Sequence, residues 1–85
     1  MTMRNRILKE EDFFRTVDLS LASTIFMFYP LEDVDKQNPR RAEFMFKRTQ
    51  ELDELIENFW RGELKIDPRA YFDALRAIKA RLYDR

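Results

Sequence analysis

The sequence predicts a small α+β domain, an antiparallel sheet of about three strands packed with three helices in the order β-α-β-β-α-α. Three observations carry that expectation. Ala42, Phe44 and Phe46 alternate with Glu43, Met45 and Lys47, the two-residue period of a strand with one buried face. Leu52, Leu55, Ile56, Phe59 and Trp60 recur at helical spacing, which describes a one-sided amphipathic helix. Between Thr16 and Pro30 lies a third segment, apolar over more than half of its helical circumference.

Taken in order, residues 1–12 mix basic and acidic side chains around Ile7 and Leu8, and they read as a mobile or partner-ordered arm ahead of one compact domain over 13–85. Phe13–Arg15 is a short strand. Thr16 is the expected cap of a helix starting at Val17, with Asp18 in its first turn and its end near Phe28, before Pro30. Its apolar face leaves Ser20, Ser23, Thr24 and Met27 as a weakly polar side, so the helix is either central or half of an interface. Leu31–Lys36 fits a short edge strand, Gln37-Asn38-Pro39-Arg40 a turn, and Ala42–Lys47 the clearest strand. Thr49 caps the second helix, and Gly62 closes it where a left-handed residue is cheapest. Glu63–Ile66 reads as an extended link. Asp67-Pro68 then supplies a cap and a first-turn proline for a third helix reaching Tyr83.

That third helix divides into arcs at about 100° per residue. Tyr71, Leu75, Ile78 and Leu82 form the expected core stripe. Ala70, Ala74 and Ala77 form a small-residue arc on which another backbone can approach closely. Arg69, Phe72, Arg76, Lys79 and Tyr83 gather on the opposite flank, where aromatics interleaved with cations suit stacking and contact with phosphates or carboxylates. Amphipathic helices commonly produce such flanks, and an edge-of-core position for Phe72 and Tyr83 is the stronger expectation. Trp60, beside Arg61, is a secondary binding candidate whose alignment with Leu52 and Ile56 favours partial burial.

Two further basic clusters, Arg40-Arg41 and Lys47-Arg48, bracket the clearest strand and are conceivable phosphate contacts. Arg41 to Phe46 resembles the basic-aromatic strand of RNA-recognition sheets but lacks the glycines that motif needs, so Phe44 and Phe46 read as core. Glu51, Asp53, Glu54 and Glu57 read as a solvated acidic face favoured by the helix dipole, and not as metal ligands.

Composition then narrows the function classes. In 85 residues there is one glycine and neither histidine nor cysteine, which removes the usual general bases, thiol nucleophiles, soft-metal ligands and phosphate-cradling loops. Ser20, Ser23 and Thr24 lack the neighbouring base a nucleophile requires. No cofactor, metal or small-molecule substrate is expected. A chain this short buries only about 60–65% of its unfolded surface, and eight phenylalanines, three tyrosines and one tryptophan supply the needed density. Sixteen basic residues cancel sixteen acidic ones, so any electrostatic function is local. The longest uncharged stretch, Leu19 to Leu31, falls short of the roughly 20 residues of a membrane span. A reducing cytoplasm is the expected location.

The run Phe14-x-Thr16-x-Asp18-Leu19-x-Leu21-Ala22, the hairpin ending Phe44-x-Phe46, and Leu52 through Trp60-x-Gly62-Glu63 into the Asp67-to-Leu82 helix together resemble a family of small uncharacterised domains of bacteria and phages. The likeness covers about residues 13 to 83. It implies a compact mixed fold and a link to mobile elements, and it assigns no catalytic residue. The expected function is a non-enzymatic accessory module that binds a protein partner or itself, through the weakly polar face of the first helix or the aromatic-basic flank of the third. The alternative is a nucleic-acid-binding factor using Arg40, Arg41, Lys47, Arg48, Arg69, Arg76 and Lys79.

Overall fold

The computed structural model describes residues 12–38 and 40–83. In chain order the elements are β1 (Phe13–Thr16), α1 (Leu19–Phe26), β2 (Asp33–Asp35), β3 (Glu43–Lys47), α2 (Gln50–Arg61) and α3 (Pro68–Tyr83). This is the α+β order the sequence predicts. Of the expected N-terminal arm, residues 1–11 lie outside the described residues, and the Asp12 carbonyl accepts from the Arg48 amide at 2.8 Å.

The sheet is antiparallel with β3 in the centre, in the order β1-β3-β2. Phe14 lies opposite Phe46, and Thr16 and Val34 both lie opposite Phe44. Directly opposed residues share a sheet face, so these side chains form the face turned to the helices. The other face carries Phe13, Arg15, Asp33, Asp35, Glu43, Met45 and Lys47. There the Arg15 guanidinium ties all three strands together, donating from Nε to Glu43 Oε1 at 2.8 Å and from Nη2 to Asp35 Oδ2 at 2.5 Å. The backbone N–H of Gln37, with Arg15 adding to it, holds the Asp35 carboxyl below the usual carboxylate range.

The first helix departs from expectation at both ends. Thr16 is the last residue of β1, and its hydroxyl accepts from the Asp18 amide at 3.0 Å. Asp18 is therefore the cap, its carboxylate accepting from the Leu21 amide at 3.0 Å and from the Ser20 hydroxyl at 2.9 Å. The helix ends at Phe26, and the amides of Phe28 and Tyr29 both donate to the Ile25 carbonyl at 2.9 Å in a tightened last turn. The Leu21 N–H and then the Ser20 hydroxyl hold the Asp18 carboxyl below its ordinary value, against a smaller opposing effect of burial. A carboxyl so lowered contributes stability that is complete above the ordinary carboxylate value of about 3.9 and is lost as pH falls through the folded-state value. Asp18→Ala is expected to cost about 1 kcal/mol at pH 7. Asp18→Asn keeps an acceptor, so its thermal melts between pH 5 and pH 3 should fall less steeply than those of the wild type.

β2 is shorter than the expected Leu31–Lys36, because the Asp35 carboxylate accepts from the Gln37 amide at 3.0 Å and turns the chain out of the ladder. Asn38 supports the following turn, its side-chain oxygen accepting from the Arg40 amide and its carbonyl from the Arg41 amide, each at 3.0 Å. The local signals for the other helices hold. Thr49 Oγ1 accepts from the Leu52 amide at 3.0 Å, and Gly62 closes α2 with φ of 71°.

The core joins Leu21, Ala22 and Ile25 of α1 to Phe44 and Phe46 of β3, Leu52 of α2 and Ile78 of α3. α1 is the hub, packing on α3 most extensively and also on α2 and β1. Its supposed polar side is largely interior, since Ser23 and Thr24 are fully buried. Their hydroxyls donate to the carbonyls of Leu19 and Ser20 at 2.8 and 2.9 Å, which satisfies them without a partner chain. Among the described residues no helix is long and apolar enough to cross a membrane.

Candidate functional site

α3 starts where the sequence places it. Asp67 Oδ2 accepts from the Ala70 amide at 2.8 Å, the Asp67 carbonyl accepts from the Tyr71 amide at 3.0 Å, and Pro68 occupies the first turn, where its missing N–H costs nothing. Ile78 and Ala74 are its buried residues, and Tyr71, Leu75 and Leu82 are half-buried around them. Ala74 is the buried member of the small-residue arc, on the helix that packs most extensively on α1.

Docking one side of α3 sends the opposite flank to solvent. Arg69, Phe72, Arg76, Lys79 and Tyr83 are all exposed on it, with successive spacings of three and four residues that keep them in one line along the helix. Phe72 is 53% exposed and Tyr83 78%, so neither sits at the edge of the core as expected. The reason is angular: both positions lie more than 90° from Ile78 at about 100° per residue. Arg76 holds its guanidinium carbon 5.8 Å from the Phe72 ring centroid, a cation-π contact at the middle of the stripe. Among the described residues Arg69, Arg76 and Lys79 enter no ion pair, so three cations face solvent beside two aromatic rings.

The remaining basic candidates are not brought to this face as one surface. Arg40 and Arg41 sit at the β2–β3 turn, where Arg41 lines a polar cleft of about 300 Å³ with Asp35, Gln37, Asn38 and Glu43. Lys47 and Arg48 lie at the far end of β3, several residues away at about 3.3 Å each. Arg48 is engaged within the chain, its Nε 3.3 Å from Asp53 Oδ1 and its guanidinium 5.9 Å from the Phe14 ring centroid. The α2 carboxylates have local roles too: Asp53 takes Arg48, and Glu57 takes Arg61 at 3.2 Å.

Trp60 corrects the expectation of partial burial, for it is 63% exposed. Eight residues after Leu52 is about 80° round the helix, whereas Phe59, at seven, returns to the buried side. The Trp60 ring stands edge-on to Phe59, with centroids 4.9 Å apart and planes at 83°. Beside it is a feature the sequence reading missed, an apolar groove of about 270 Å³ lined by Thr24, Phe59, Gly62, Leu64, Ile66 and Tyr71. Its available signal was the alternation of Leu64 and Ile66 in a link of only four residues.

No curated protein and no solved structure matches the chain. A family model described as a domain of unknown function (DUF5659) does match, over residues 11–84, and the chain therefore belongs to that family of uncharacterised domains.

Proposed function

We propose that the protein is a non-enzymatic interaction module that binds a protein partner through the exposed flank of α3, and that it serves as a small cytoplasmic accessory protein of a phage or mobile element. The observation that carries this reading is the line Arg69, Phe72, Arg76, Lys79 and Tyr83, solvent-facing with its cations unpaired among the described residues. Two rings 53% and 78% exposed expose apolar area that burial in an interface would recover. The flanking cations call for carboxylates on the partner's facing surface. α1 contributes little to such an interface, because Ser23 and Thr24 are interior.

A nucleic acid is the second reading, favoured by the same unpaired cations beside stacking rings. It ranks lower because Arg48 is committed to Asp53 and Phe14, and because Arg41 shares its cleft with Asp35 and Glu43, which repel phosphate.

The test is a pull-down from the host with and without nuclease, using wild type and the double variant Arg76→Glu with Lys79→Glu. The variant is expected to lose its partner while its stability stays within about 0.5 kcal/mol of wild type, as for surface changes in general. A partner retained by the variant would remove α3 as the docking face. A partner lost only on nuclease treatment, with binding to oligonucleotides that weakens steeply with salt, would promote the second reading.

A further inference from the structure

We infer that the partner's docking element is an acidic amphipathic helix of about four turns, laid lengthwise along the α3 flank, with carboxylates set against Arg69, Arg76 and Lys79 and apolar side chains against Phe72 and Tyr83. This rests on α3 being the docking face, and adds the chemistry and the shape of what docks there.

The charge on this face has one sign. At about 100° per residue the five positions fall within an arc of roughly 80°, and among the described residues no acidic side chain of α3 stands in that arc. The helix carries Arg69, Arg76, Lys79 and Arg81 against the single carboxylate of Asp73, which lies about 60° round from Arg76. The chain as a whole is neutral, so the excess is local, and an acidic partner is drawn to this flank and not to the protein at large. The rings add apolar area to the same row. With the Arg76 guanidinium carbon 5.8 Å from the Phe72 ring centroid, a carboxylate that pairs with Arg76 brings its neighbours onto the ring.

The spacing selects a helix. Steps of three, four, three and four residues measure about 4.5 and 6.0 Å along the axis, for a row of about 21 Å. A second helix carries the same row, so five of its side chains stay in step with the five of α3 at a crossing angle of about 20°. An extended strand presents same-side groups every 6.6 Å or so, and over four intervals it runs about 5 Å ahead, close to a whole position. A second copy of this chain offers less: of the α2 carboxylates Asp53 is taken by Arg48 and Glu57 by Arg61, which leaves Glu51 and Glu54 among the described residues to meet three cations.

The probes are labelled peptides of about 18 residues carrying Glu, Leu, Glu, Glu and Leu at this spacing on one face of an alanine-rich helix, in both chain directions. Controls carry the same residues in scrambled order or a proline at the centre. Anisotropy with the full chain should give a dissociation constant between about 1 and 100 µM, weakening with salt, and mixing should raise peptide helicity by circular dichroism. Scrambled and proline-bearing peptides should bind at least about tenfold more weakly. Phe72→Ala and Arg76→Glu should each weaken binding at least about tenfold. Arg81→Glu makes the same change of charge at an exposed position about 140° round from Arg76, and should stay within about threefold of wild type.

Absence of binding by the patterned peptides up to about 1 mM overturns the inference, as does equal binding of the scrambled peptide or equal loss in Arg76→Glu and Arg81→Glu. If the patterned peptides fail while the Arg76→Glu, Lys79→Glu variant still loses its host partner, the acidic helix is wrong and the α3 docking face stands. Patterned peptides bound alike by wild type, Phe72→Ala and Arg76→Glu remove the α3 face itself. A single-stranded oligonucleotide of about 15 nucleotides that binds more tightly than the peptides, or a wild-type dimer in sedimentation velocity that Arg76→Glu dissolves, replaces the acidic helix with that occupant.

Discussion

Phe46→Ala is expected to lower the free energy of unfolding by about 3–5 kcal/mol, the usual cost of removing a buried ring without collapse of the space it filled. Phe46 has no exposed surface, lies opposite Phe14 in the central strand and belongs to the same core as Leu21, Ala22 and Ile25. At roughly 0.05–0.15 kcal/mol per residue, a chain of this size has about 4–13 kcal/mol of stability in total, so the variant loses a large fraction of it. Urea denaturation followed by circular dichroism measures the effect, as a lower midpoint at an unchanged slope. Met45→Ala is the control. Its side chain lies on the opposite face of β3, half-buried beside Arg15, and about 1 kcal/mol or less is expected there. Equal losses at the two positions would mean that the strand register, and with it the inner phenylalanine face, is misassigned.

Ile78→Ala is expected to cost about 2–5 kcal/mol, because Ile78 is the fully buried residue through which α3 enters the core. For a domain of this length each kcal/mol moves the melting temperature by roughly 4–8 °C, so a fall of about 10 °C or more is anticipated. The informative comparison is within one helix. Arg76 and Lys79 flank Ile78 in sequence yet face solvent, and their reversal to glutamate should leave the melt nearly where it was while removing partner binding. Helix orientation is thereby read from two measurements that respond to opposite sides. A melt unmoved by Ile78→Ala would show that α3 is not docked by this side.

Much of the architecture was legible in the sequence because its signals are local. The alternation of Phe44 and Phe46, the Thr49 cap, the left-handed Gly62 and the Asp67-Pro68 start each depend on atoms within a few residues, and each stands where those residue types require it. The errors fell where two local options compete and distant contacts choose between them. Thr16 and Asp18 are both good caps, and pairing of Thr16 with Phe44 in β1 leaves the role to Asp18. Trp60 obeys a helical spacing as well as Ile56 does, but its angle takes it past the boundary of what α1 and the sheet cover. The candidate stripe on α3 could be drawn from the sequence as a line of residues. Its exposure could not, since that depends on which side of α3 meets α1.

Composition and spacing alone therefore determined the element order, most of the helix ends and the inward phenylalanine face, together with the absence of histidine and cysteine from the chain. Only the tertiary structure decided the β1-β3-β2 order, the burial of Ser23 and Thr24, the Arg15 tie to Asp35 and Glu43, and the groove beside Trp60. The division follows from range. Caps, turns and periodicities are settled by groups a turn apart, whereas strand order, burial and concavity are properties of surfaces that residues distant along the chain form only when they pack.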